Sequence, residues 1–161
     1  MGLDVESSAE KDEAESMPAL RLETFLPYRL VQAAETISRD FSALYGERYG
    51  MTRSEWRVFA TIGQFGRITA KAIGAHSALH KTKVSRAVAS LEKRRWISRE
   101  ADTADRRVEH LALTREGARA YRDLANIAHR YERRLIDEIG NYAAVRLGAG
   151  IAAIEKRRRG E

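Results

Sequence analysis

The chain contains no cysteine, only four histidines, and no run approaching 18 consecutive apolar residues. The first absence removes disulfides, thiolate catalysis, thiol redox sensing and the usual structural zinc frameworks. The lack of a long apolar run removes any expectation of a membrane span. The first residues are acidic and polar, not basic and then apolar, so no secretory signal is visible and a cytoplasmic location is expected. His76, His80, His110 and His129 fall on separate predicted elements. They show no metal-ligand pair on one helix face and no evident carboxylate partner, so neither a metal site, a cofactor nor catalysis is expected.

What is present is positive charge. The chain of 161 residues has a net charge of +6, yet residues 1–19 carry six acids and one lysine, which leaves +11 on residues 20–161. A body that basic suggests a polyanionic partner, because neutralising phosphates releases condensed counterions. The length suits one core and one domain. Residues 1–19 read as a disordered acidic tail, nearly free of large apolar groups.

A helical pattern begins after Pro18, and Pro27 should bend or restart it. Leu30, Ala34, Ile37, Phe41 and Leu44 then recur at helical spacing as one buried face. Thr52 to Glu55 (TRSE) is a capping box opening a second helix, with Gly63 and Gly66 bracketing its end. Thr69 caps a short third helix through about Ser77, and His80 or Thr82 caps a basic fourth. In that fourth helix Val84, Val88 and Leu91 must face inward, which directs Lys83, Ser85, Arg86, Ala89 and Ser90 outward or to the flanks.

Trp96, Ile97 and Arg99 start a strand, Asp102 to Arg107 (DTADRR) form a polar tip, and Val108 to Leu113 return. Thr114 caps a long helix, along which Tyr121, Leu124, Ala128, Tyr131 and Leu135 form a seam suited to helix-on-helix packing, including with a second subunit. Gly140 ends it, Asn141 can cap a last helix, and the chain closes on a basic run from Lys156 to Arg159. The fold class is mainly α with a small two- or three-stranded β wing: a winged helix-turn-helix lobe (52–114) between terminal dimerisation helices (20–50 and 115–159).

A helix-turn-helix followed by a wing is a DNA-reading shape. Between Arg67 and Arg107 stand eleven Lys or Arg residues against four Asp or Glu. The N-terminal side chains of a recognition helix lie nearest the base edges, which points to Lys81, Thr82, Lys83, Ser85 and Arg86. Arg86 suits bidentate readout of guanine, and Lys81 and Lys83 suit phosphates. Thr69 can donate to a phosphate at the start of the third helix. Of Arg106 and Arg107, one can enter the minor groove while the other pairs with Asp105, and the reading leans to Arg106 in the groove.

This order of elements resembles the MarR family of bacterial transcription regulators. KVSRAVASLEKRRWISRE resembles the family's recognition helix and following strand, DTADRR its wing tip, and LALTREG the strand entering its long fifth helix. The resemblance covers roughly residues 25–155. Ala78 stands where the family often has a turn glycine, and Ser77 where an apolar residue is usual. The missing cysteine sets the chain apart from peroxide-sensing members.

The resemblance implies an obligate homodimer that reads an inverted-repeat operator in double-stranded DNA. It also implies a repressor released by a small aromatic acid or its derivative bound between the dimer helices and the DNA-binding lobe. Tyr28, Arg29, Trp56 and Phe59 are the expected effector-binding residues: aromatic walls and one guanidinium for an aromatic anion. FLPYRL and EWRVFATIGQFGRITAKAIGAHSALHKTKVSR look like regulators of aromatic-acid catabolism, some of which sense hydroxycinnamoyl-CoA thioesters. For an aromatic acyl-CoA, Arg29, Arg39 or Arg67 would meet the phosphates. The alternative is a sequence-tolerant architectural DNA-binding protein without a ligand switch, whose affinity would fall steeply with salt but vary little with sequence.

Overall fold

Pro27 decides where the first helix starts. The computed structural model describes residues 19–159, so the expected acidic tail lies outside the described residues apart from its last residue. The chain divides between Arg39 and Asp40 into two units. In the first, a turn over Leu22 to Thr24 precedes helix α1 (Leu26–Tyr49). The helix expected from Pro18 therefore begins only at Leu26. Pro27 sits in its first turn, where a missing amide breaks no intrahelical bond, and no restart is needed. The apolar face is also more open than its periodicity implies. Leu30, Ile37, Phe41 and Leu44 are half-buried, Ala34 is exposed, and the fully buried residue of α1 is Tyr45.

The second unit holds α2 (Arg53–Phe65), β1 (Ile68–Thr69), α3 (Ala70–Ser77), α4 (Lys81–Lys93), β2 (Ile97–Ala101), β3 (Glu109–Leu113), α5 (Arg115–Ile139) and α6 (Asn141–Arg159). The capping box forms as its spacing predicts: the Thr52 amide donates to Glu55 Oε2 at 2.6 Å, and the Glu55 amide to Thr52 Oγ1 at 3.2 Å. Gly66 ends α2 with φ 72°. Gly63 does not bracket the end but lies inside the helix. A Cβ there would run into the Tyr121 ring, so the glycine lets α5 come close.

Val58, Phe59 and Ile62 of α2, Ile73 of α3, Val84, Val88 and Leu91 of α4, Leu111 of β3 and Leu124 of α5 make the core. Each such side chain contributes roughly 1.5–3 kcal/mol by leaving water. The sheet has three strands in the order β1-β3-β2, all antiparallel, with Ile68 opposite Leu111 and Ile97 opposite Leu113. The short β1 ties the start of α3 to the wing.

Thr114 caps α5 by accepting from the Gly117 amide at 3.0 Å. The apolar seam of α5 begins inside this unit's own core, not at a surface: Leu124 is fully buried, and the Tyr121 ring meets Phe59 at 6.1 Å. The uncovered apolar groups are on α6, where Tyr142, Val145, Leu147, Ile151 and Ile154 are 42–75% exposed. That helix starts at Asn141 itself, after Gly140 at φ 84°. No described helix is long and apolar enough to cross a membrane.

Candidate nucleic-acid interface

Helix α3 opens on Thr69, whose Oγ1 accepts from the Ala72 amide at 3.2 Å. The capping bond uses an oxygen lone pair and leaves the hydroxyl proton available to an outside acceptor. The turn to α4 passes through Ala78 at φ 50° and ψ 44°, the left-handed conformation that glycine adopts without penalty. Ser77, at a position usually apolar, is buried and donates to the Ile73 carbonyl at 2.6 Å, so its hydroxyl is satisfied inside the lobe. His80 holds the cap position of α4, but its imidazole makes no capping bond.

Val84, Ala87, Val88 and Leu91 are the buried face of α4. Lys81, Thr82, Lys83, Ser85 and Arg86 are all exposed, gathered on the first turn and a half. None of the three cations makes an ion pair among the described residues, so each carries a full charge to any partner. The C-terminal half is fastened. Ser90, expected at the flank, turns inward and donates a short hydrogen bond to Glu55 Oε1. Arg94 donates to the Tyr49 carbonyl at 2.6 Å and the Gly50 carbonyl at 3.0 Å. Burial pushes the Glu55 carboxyl upward, but bonds from Ser90 and Thr52 outweigh it and hold it below its ordinary 4.5. One carboxylate thus closes the cap of α2 and pins the recognition helix to it.

The wing is stiffened at three levels. At its base Arg99 bridges Glu92 at 2.7 Å and Glu109 at 2.8 Å. Midway, Asp102 accepts from the Ala104 and Asp105 amides at 2.8 and 3.2 Å and meets His110 Nε2 at 3.0 Å. His110 therefore does have a carboxylate partner, contrary to the reading of the sequence. At the tip Arg107 grips Asp105 bidentately at 3.0 and 3.1 Å, while Arg106 is exposed and makes no ion pair among the described residues. The guanidinium of Arg107 holds Asp105 below the usual carboxylate range. Backbone amides, and then His110, do the same for Asp102.

The four residues expected to bind an effector have unlike surroundings. Tyr28 and Arg29 are exposed on the first turns of α1. Trp56 is half-buried, stacked on Tyr45 at 5.5 Å and edge-on to Phe41 at 5.1 Å. Phe59 is fully buried, 5.1 Å from Trp96, and is part of the core. Sequence reasoning missed Ser90, Arg94 and Glu55 as a fastening group. Only the capping role of Glu55 had a local signal.

Residues 49–108 match a family model described as the MarR family. No curated protein matches the sequence. Among solved structures the chain is similar to a MarR family transcriptional regulator from Silicibacter pomeroyi, with 22% identity, TM-score 0.75, and coverage of 86% of this chain and 98% of that one. It is similar to the transcriptional repressor CouR bound to a 23-mer DNA duplex, with 22% identity, TM-score 0.76 and coverage of 86% and 99%. NadR in complex with 4-hydroxyphenylacetate follows at 19% identity, TM-score 0.71 and coverage of 87% and 99%. The fold is the winged helix-turn-helix of this class. Over residues 49–108 the family match and the fold agree on the DNA-binding lobe of MarR-type transcription regulators.

Proposed function

We propose that this chain is a MarR-family regulator that binds an inverted-repeat operator as a homodimer, acting as a cytoplasmic repressor that an aromatic acid or aromatic acyl-CoA releases. The observation that carries the DNA reading is the division of α4: unpaired cations at one end, a hydrogen-bonded anchor at the other. Arg86 reads a guanine edge, Lys81 and Lys83 meet phosphates with Thr82, Ser85 and Thr69, and Arg106 enters the minor groove while Arg107 stiffens the tip. The open apolar face of α6 supports a second copy, since contiguous exposed apolar surface marks association. The ligand reading is supported by FLPYRL and the run from Glu55 to Arg86, and by the aromatic acid held in the NadR structure. Its residues are Tyr28, Arg29 and Trp56, with Phe59 as the packed floor.

The test is selection of bound duplexes from a random pool at about 0.15 M salt, where non-specific binding is weak. Enriched sequences should contain an inverted repeat with half-sites about one helical turn apart. Arg86→Ala should weaken that site by about 1–3 kcal/mol and relax one base pair per half-site. A pool that stays random, with equal affinity for all duplexes, would replace this reading with that of an architectural binder.

A further inference from the structure

A cavity of about 600 Å³ opens between the C-terminal end of α1 and the middle of α5, lined by residues that none of the roles above uses. Leu44, Ile127 and Tyr131 give it apolar and aromatic walls, and Arg48, Arg130 and Arg134 give it three guanidinium groups. Glu47 is the one carboxylate in the lining, so the charge balance favours an anion. The Arg134 guanidinium already lies over the Tyr131 ring at 5.5 Å, which places a cation against a flat apolar surface. That pairing matches a ligand with a carboxylate at one end and a planar apolar body at the other.

The cavity is connected to the recognition helix. Arg48 holds Asp123 at 3.2 Å, and Asp123 also accepts from the Tyr49 hydroxyl at 2.6 Å. The carbonyl of that same Tyr49 accepts from Arg94, the residue that ends α4. A route of charged and polar contacts thus runs from the cavity wall through Asp123 and Tyr49 to the anchored end of α4. The Tyr49 hydroxyl and the Arg48 guanidinium hold Asp123 below the usual carboxylate range, so it stays an anion that a ligand carboxylate must rival for Arg48.

We propose that this cavity is a binding site for a small planar organic carboxylate, and that its occupation draws Arg48 away from Asp123 and loosens the Tyr49–Arg94 fastening of the recognition helix. The site differs from the Tyr28, Arg29, Trp56 and Phe59 group, and its occupation does not depend on the DNA reading. Benzoate is the probe, titrated into the full chain by calorimetry. Saturable binding in the millimolar range is expected. The double variant Arg130→Gln/Arg134→Gln should weaken it at least about tenfold, because each charged hydrogen bond lost is worth about that much. Asp123→Asn, which frees Arg48, should tighten it. Arg29→Gln should leave it unchanged.

The coupling is read from Trp96, which lies 5.2 Å from the Tyr49 ring and 5.4 Å from the Arg94 guanidinium. In a Trp56→Phe background its emission should shift as benzoate saturates the wild-type cavity, and not in the double arginine variant. No benzoate uptake, equal affinity in the double arginine variant, or loss only in Arg29→Gln would overturn the site. Binding without a change at Trp96 would overturn the coupling. Neither readout involves DNA, so a chain that failed to bind DNA would bear on the preceding reading alone.

Discussion

The winged lobe and helix α6 treat their apolar side chains in opposite ways. In the lobe Val58, Phe59, Ile62, Ile73, Val88 and Leu91 are shielded from water by elements of the same chain. On α6 Tyr142 and Val145 are about three-quarters exposed, and Ile151 and Ile154 about half. Both are helical, and both are rich in aliphatic groups. The difference is supply: the lobe has two further helices and a sheet to close its core, whereas α6 leaves its large apolar side chains open to solvent. Stability and assembly should therefore respond to separate sets of substitutions.

The sharpest way to break this comparison is Gly117→Val. A Cβ at this position would collide with the Trp96 carbonyl, a backbone atom that cannot swing aside. A loss of at least about 4 kcal/mol, or no folded protein, is expected, as for other severe overpacking. Thermal melting checks it, and a melting temperature near wild type would show that the lobe is loosely packed. Next comes Val145→Asp with Ile151→Asp, which would bury charge in any α6-mediated contact. The dimer should weaken by roughly 3 kcal/mol or more, over a hundredfold in dissociation constant, while the lobe keeps its melting profile. Sedimentation at varied concentration decides it. A dimer of unchanged affinity would move the interface off α6.

Glu55→Ala should cost about 2 kcal/mol, because it removes a helix cap and leaves Ser90 without its acceptor. Denaturant titration should show the loss with dimer affinity unchanged. Ala78→Gly goes the other way. Relieving the left-handed alanine should raise stability by about 1 kcal/mol, and an unchanged midpoint would show that the turn is not strained.

The smallest effect is in the wing. Asp102 and Asp105 have pKa values below their ordinary 3.8, lowered respectively by backbone amides and by Arg107. Their support is complete above that value and fades only as pH falls through the lower folded values. Exchange of the Ala104 and Asp105 amides should therefore keep its protection down to about pH 4 and lose it below. Protection lost already between pH 5 and 6 would assign the hold to His110 instead.

Local features were legible because their chemistry is written within a few residues. The Thr52 and Thr114 caps, the short helix before α4 and the order of the wing strands all follow from spacing. The pairing of Arg107 with Asp105, two positions apart, was one of two readings that spacing allowed. What could not be read depends on partners far along the chain. Ser90 looked like a surface serine because Glu55, 35 positions away, left no mark beside it. The Tyr49–Asp123 bond spans 74 positions. Gly63 looked like a helix end because a glycine that admits a neighbouring ring and one that stops a helix are the same letter. Periodicity showed which sides of α1 and α5 are apolar, but not what covers them. Hence Leu124 was assigned to a seam for packing on another helix, where the lobe itself had claimed it.

The feet of the wing are joined to one another. The Thr114 amide donates to the Trp96 carbonyl at 3.0 Å, and the Thr114 hydroxyl to the Arg95 carbonyl at 2.7 Å. The chain therefore leaves and re-enters the lobe at one place, and the excursion between these points is a closed loop whose length the core does not sense. Closing a loop twice as long costs only about 0.6 kcal/mol more. The tip can thus gain or lose residues, and so change its reach, without any renegotiation of the helices beneath it.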